Sequence, residues 1–199
     1  MPGHLPSARH AMTAPGGGDI LVWAQARYQE HLGPRSTRHR HVAACAEKVG
    51  SALAVVPGDE DLALALVYLH DLGFCEQARG TGFSTLDCAR FVRGLGAPDR
   101  VVDLLAHQFL GPVEAGFRGL QGYYRDFGPD ERGPVRDLLW SVCLTTDSDG
   151  KDITVAQRCD AWWHRYADTS DWLGDYLHAA QAELQAADER TRQRAEQAR

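Results

Sequence analysis

The stretch Leu62-Ala-Leu-Ala-Leu-Val-Tyr-Leu-His70-Asp71-Leu-Gly-Phe74 decides the reading of this chain. Asp59 stands just before it as a helix start and Gly73 closes it, so a helix over 61–72 is expected. Its residues are apolar on nearly every side, which is the pattern of a helix buried at the centre of a fold. At its end it sets an imidazole beside a carboxylate. Burying an ionised carboxylate is costly unless it meets a cation, a set of donors or a metal. On this segment alone, an Asp71–arginine pair with a satisfied core histidine at His70 explains the pattern as well as a metal site does.

The surrounding segments are also punctuated as helices. Ser36 is placed to cap a helix running to about Leu53, Ser84 with Asp87 has capping-box spacing for one ending near Leu95, and Thr154 with Gln157 repeats that device before Trp162 and Trp163. No stretch shows the sustained alternation of a strand, so the expectation is an all-α, compact helical bundle. Its core should include Leu62, Leu66, Leu69, Val49, Leu105 and Trp162, each on the apolar face of its helix. Between Gly111 and Gly133, glycines interleave with Phe117, Tyr123, Tyr124 and Phe127, a composition that suggests short helices forming a lid or pocket wall.

Residues 1–18 hold three prolines and a run of three glycines without apolar period, and read as a disordered arm. Residues 19–180 then form the helical domain. Residues 181–199 are rich in Ala, Gln, Glu and Arg, and read as a solvated helix fraying into a tail.

Composition narrows the function. The chain has 199 residues, 44% of them hydrophobic and 24% charged, with a mean hydropathy of -0.37, as in a soluble globular domain. Its 21 Lys and Arg against 27 Asp and Glu give a net charge of -6, which speaks against general nucleic-acid binding while leaving room for a local basic pocket. No apolar run is long enough to cross a bilayer and the first residues hold no signal-peptide core, so a cytoplasmic protein without membrane contact is expected. Five cysteines without a CxxC pair argue against disulfides or a zinc ribbon and read as buried thiols.

Two further histidines lie on apolar helix faces. His41 precedes the stripe Val42, Cys45, Ala46, Val49, Leu53, so it can point inward while His39 faces out. His107 follows Val101-Val-Asp-Leu-Leu-Ala. Three histidines able to converge on one carboxylate suggest a metal site more than a set of core residues.

Taken in order, these segments resemble the HD-domain metal-dependent phosphohydrolases. RHRHVAACA (38–46) is similar to the family's first-histidine helix, ALVYLHDLGF (65–74) to its His-Asp helix, TGFSTLDCARFVR (81–93) to the segment after it, and LLAHQFLGPVEA (104–115) to the next. SVCLTTDSDG (141–150) followed by ITVAQR (153–158) resembles the final helix and its exit. The likeness runs from about Pro34 to Tyr166 and implies a bundle of the HD type with His41, His70 and Asp71 in three of four metal positions. The fourth, an aspartate in similar small bacterial proteins, is Cys143 here. Ser84 and Gln108 stand where histidines often complete a second metal site, so the resemblance implies one divalent ion (Zn, Fe or Mn) at most.

Cys143 admits two readings, a thiolate ligand to that ion or a small buried residue in a site that has lost it. The function implied is hydrolysis of a phosphoester or other small anionic metabolite by one metal-bound water. Asp71 and His107 would then carry the proton chemistry, and Arg38, Arg40 and Tyr123 would hold the anion. The alternative is a diverged HD-fold protein that binds a small molecule without hydrolysis. A cysteine–histidine nucleophile built on Cys143 or Cys45 has no supporting motif. The partner expected is a small molecule, with a homodimer left open.

Overall fold

The computed structural model describes residues 20–199, so the expected arm 1–18 lies outside the described residues. The fold is all-α: α1 (Ile20–His31), α2 (His39–Ser51), α3 (Glu60–Leu69), α4 (Ser84–Gly94), α5 (Asp99–Ala106), α6 (Gly111–Phe117), α7 (Pro134–Leu144), α8 (Val155–Tyr166) and α9 (Leu173–Gln197). Short 3-10 turns link several of them. No strand occurs among the described residues, and the one β-bridge pairs Thr146 with Asp152. No described helix is long and apolar enough to cross a membrane.

α3 is the central element, packed by α1, α2, α5 and α7. Leu66 and Leu69 are wholly buried, as are Val49 of α2 and Leu105 of α5. Each such side chain contributes roughly 2 kcal/mol by leaving water. Leu62 and Trp162, expected in the core, are only half-buried. Leu62 sits in the first turn of α3, where the helix emerges, and Trp162 faces a cavity. All five cysteines are buried free thiols.

The Thr154–Gln157 capping box is formed on both sides. The one expected at Ser84 is not. Asp87 instead turns back to accept the backbone N–H groups of Gly80, Thr81 and Gly82 and the Thr81 hydroxyl, so it ties down the loop before α4. Ser36 likewise accepts the Arg38 N–H without capping α2, which starts at His39.

The C-terminal segment is helical but not solvated on all sides. Ala180, Leu184, Ala187 and Thr191 are buried along one face of α9, which packs on α7. The spacing of four, three and four residues makes a stripe, and because two of its members are alanine the mean hydropathy of the segment conceals it. The same face carries a network: Asp137 of α7 accepts from Arg136, Arg190 and Arg194, while Glu183 accepts from Arg136 and Arg190.

Candidate functional site

Three helix ends meet beside the core. His41 comes from the first turn of α2, His70 directly follows α3, and Cys143 is the penultimate residue of α7. Their ligand atoms all lie within 4.8 Å of one another, and all three residues are buried. His41 Nε2 and His70 Nε2 are 3.2 Å apart.

The other nitrogen of each ring explains what this contact means. His70 Nδ1 lies 2.6 Å from the Val67 carbonyl oxygen, and His41 Nδ1 lies 3.1 Å from that of Asp147. A carbonyl only accepts, so both Nδ1 atoms carry the hydrogen and donate it. In the neutral rings both Nε2 atoms are therefore bare lone pairs directed at each other. They need a shared proton or a cation between them. Burial disfavours a charge on His70 and lowers its pKa. At His41 burial acts the same way but is outweighed by Cys45 and Asp71, which raise the pKa. A histidine whose Nδ1–H is pinned by a backbone carbonyl is also the usual arrangement of a metal ligand.

Cys45, one turn after His41 on the same face, reads in the sequence as a buried thiol with no motif to make it a nucleophile, yet it borders the cluster. Its Sγ lies 3.7 Å from His41 Nε2. A hydrogen bond from Cys143, helped by His41, pulls Cys45 down to about 4, while burial and the Cys45 sulfur push Cys143 up. The i, i+4 spacing of His41 and Cys45 was the signal available in the sequence.

Asp71 is buried next to this cluster but turned to another partner. The Arg38 guanidinium donates to both its oxygens, Nε to Oδ2 at 2.7 Å and Nη2 to Oδ1 at 3.2 Å, and Oδ1 lies 3.5 Å from His70 Nε2. Burial opposes its charge, yet His70 and Arg38 hold its carboxyl below the usual range. The expected ligand Asp71 is thus outside the converging trio. Asp71 borders His70 but lies beyond the end of α3, where its carboxylate is drawn to the Arg38 guanidinium.

Three other expected site residues lie away from the cluster. His107 Nε2 bonds the Gly128 carbonyl at 2.8 Å, and Gln108 rather than His107 lines the adjoining cavity. α5 ends at Ala106, and the chain leaves it through a 3-10 turn in which Gln108 lines the cavity and Phe109 is left-handed. Arg40 is on the outer face of α2, its side chain 72% exposed and paired with Asp149. Tyr123 is exposed under the Arg90 guanidinium.

The cavity itself holds about 880 Å³, enough for a small ligand. Its wall includes His41, His70, Asp71 and Cys143, the aromatic rings of Phe109, Trp162, Trp172 and Tyr176, and the arginines 38, 79, 118, 158 and 165. Its four carboxylates are already engaged: Asp71 by Arg38, Asp87 by the loop before α4, Glu114 by Arg118 at 2.8 Å, and Asp147 by the backbone N–H groups of Asp149 and Lys151. Arg158 donates to the backbone carbonyls of Cys143, Leu144 and Thr146 and makes no salt bridge to a carboxylate among the described residues. Arg79 and Arg165 make no salt bridge among the described residues, and the Arg165 guanidinium lies over the Tyr166 ring. An acidic chain thus lines this one cavity with surplus positive charge, as anion binding requires.

The loop after α7 orients the first histidine. The Asp147 carbonyl takes the His41 proton, and Gly150, at φ +84°, packs against α2 so closely that a Cβ would lie 3.0 Å from the Arg40 carbonyl oxygen.

No protein-family model, curated protein or solved structure matches the chain.

Proposed function

We propose that the chain is an HD-type hydrolase that uses one divalent ion to cleave a phosphoester or other small anionic metabolite. One observation carries the reading: two imidazoles, each with Nδ1 tied to a backbone carbonyl, turn bare Nε2 atoms on one point beside a buried thiol. His41, His70 and Cys143 fit an ion of borderline or soft character, so zinc or iron suits them better than magnesium. Such an ion, when bound, acidifies water and polarises a phosphoryl oxygen. Asp71, held ionised, fixes Arg38 at the cavity wall, where the rest of its guanidinium fork can meet an anion. Arg158 adds a second cation nearby, and the aromatic wall keeps water away from the bound substrate.

The test is elemental analysis of protein purified without chelator, paired with hydrolysis of p-nitrophenyl phosphate before and after added zinc or iron. About one ion per chain is expected, lost in His41→Ala and His70→Ala with helix content retained. Full occupancy in both variants, or no uptake by the unaltered chain, overturns the reading. The Arg38–Asp71 fork favours a second function, a protein that binds an anionic small molecule without cleaving it, since it occupies the carboxylate nearest the histidines. Metal uptake and anion binding without turnover of any phosphoester would select it.

A further inference from the structure

The turn that breaks α5 from α6 is built at a cost. Phe109 and Leu110, neither of them glycine, both occupy the left-handed region, at φ 51° and 57°. Such backbone persists only where its surroundings impose it. Here the Tyr176 hydroxyl donates to the Phe109 carbonyl at 2.6 Å and the Tyr124 hydroxyl to the Ala106 carbonyl at 2.9 Å. Gly111 leaves the space these contacts need: a Cβ there would fall 2.3 Å from the Ala106 carbonyl oxygen and 2.5 Å from the Tyr124 hydroxyl.

The result of this arrangement is the placement of Gln108. Its side chain lines the cavity and the residue is only 3% exposed, yet no group among the described residues hydrogen-bonds its carboxamide. The amide atoms are not sealed within the protein, so the carboxamide is left open to the cavity and to whatever occupies it. An amide offers two donor hydrogens and one acceptor oxygen and carries no charge, so its best partner is a neutral group with a donor and an acceptor side by side. The adjoining Phe109 and Trp162 rings, with centroids 5.9 Å apart, suit the flat apolar body to which such a group would be attached.

We propose that Gln108 is a recognition point, distinct from the histidine–cysteine cluster, for a neutral amide or lactam group borne on a planar body. That this group belongs to the substrate rests on the hydrolase reading above; that the cavity binds it does not.

The probes are benzamide and acetophenone, which share a shape and a carbonyl and differ in the N–H donors. Binding to the full chain is followed by tryptophan fluorescence and by ligand-observed NMR, with zinc present and after chelation. Benzamide should bind about tenfold more tightly than acetophenone, the worth of one buried hydrogen bond. In Gln108→Leu the ratio should fall to about one, with circular dichroism unchanged; Gln108→Met, of closely similar shape, gives the same reading should the leucine variant not fold. Equal affinities in the unaltered chain, an unchanged ratio in the variants, or no binding of either probe overturns the proposal. A ratio that survives while the chain takes up no metal sinks only the hydrolase reading. A flat ratio in protein that holds its ion sinks only this one.

Discussion

Replacing Asp137 with asparagine tests how α9 is held to the body of the fold. The carboxylate accepts from Arg136 at 3.2 Å, from Arg190 twice at 2.9 Å and from Arg194 at 2.7 Å. Breaking a buried ion pair on one side costs ~3–5 kcal/mol because the stranded charge cannot be solvated. Arg136 is 1% exposed but keeps Asp130 and Glu183, each at 2.6 Å, while Arg190 and Arg194 reach water. The low end, ~3 kcal/mol, therefore applies, and for a chain of this size it lowers Tm by ~6–12 °C.

The pH dependence gives an independent check. Burial opposes the charge of Asp137, but the three arginines hold its carboxyl below the usual range. Its contribution is therefore complete above the unfolded pKa of ~3.9 and is lost as pH falls through the depressed folded value. Calorimetry should show the deficit of the variant to be largest at neutral pH and to close in acid. A Tm within ~2 °C of the unaltered chain at neutral pH, or a deficit of the same size in strong acid, refutes the reasoning.

Cys143→Asp should exchange a soft donor for a hard one and move metal preference from zinc toward manganese, read by competitive metal binding; a protein unchanged in both metal content and Tm would place position 143 outside the centre. Gly150→Ala should cost ~1–3 kcal/mol, since alanine at φ +84° is strained and crowds the Arg40 carbonyl. It should also weaken zinc binding without touching a ligand, because the loop it displaces carries the carbonyl that orients His41; unaltered zinc affinity in a destabilised variant would show that the Asp147 bond does not matter. Leu66→Ala, at a site with no exposure in the core of α3, should cost ~2–5 kcal/mol in urea denaturation, and a loss under ~1 kcal/mol would mean that α3 is not the central element.

Much of this arrangement is legible before any coordinates. The run 62–69 announces a buried helix because its apolar residues outnumber one face, and it forces His70 and Asp71 into the interior with it. His41 is legible because the stripe behind it fixes which side of α2 is inside. The limits come from geometry that periodicity does not encode. His107, at the end of α5, is buried as its spacing predicts, but against the Gly128 carbonyl, and only the fold shows that the next residue, Gln108, lines the cavity. Asp71 is buried as expected, and only the fold reveals that Arg38, 33 residues earlier, takes its charge. The α9 contact escapes because alanine is as common on a solvated helix as on a packed one.

The packing of α7 sets what kind of chemist this protein can become. Every residue from Val135 to Leu144 is buried, so the helix is gripped on all sides and cannot turn to re-aim what it carries. Cys143 opens onto the cavity with its sulfur already within 4.8 Å of the ligand atoms of both histidines. A longer ligand at this position, histidine or glutamate, would carry its donor atom past that point and into the cavity, whereas cysteine and aspartate are the shortest side chains that bind metals. The repertoire of ions open to the centre is thus narrowed by reach before electronic preference enters, toward a choice between a thiolate and a compact carboxylate.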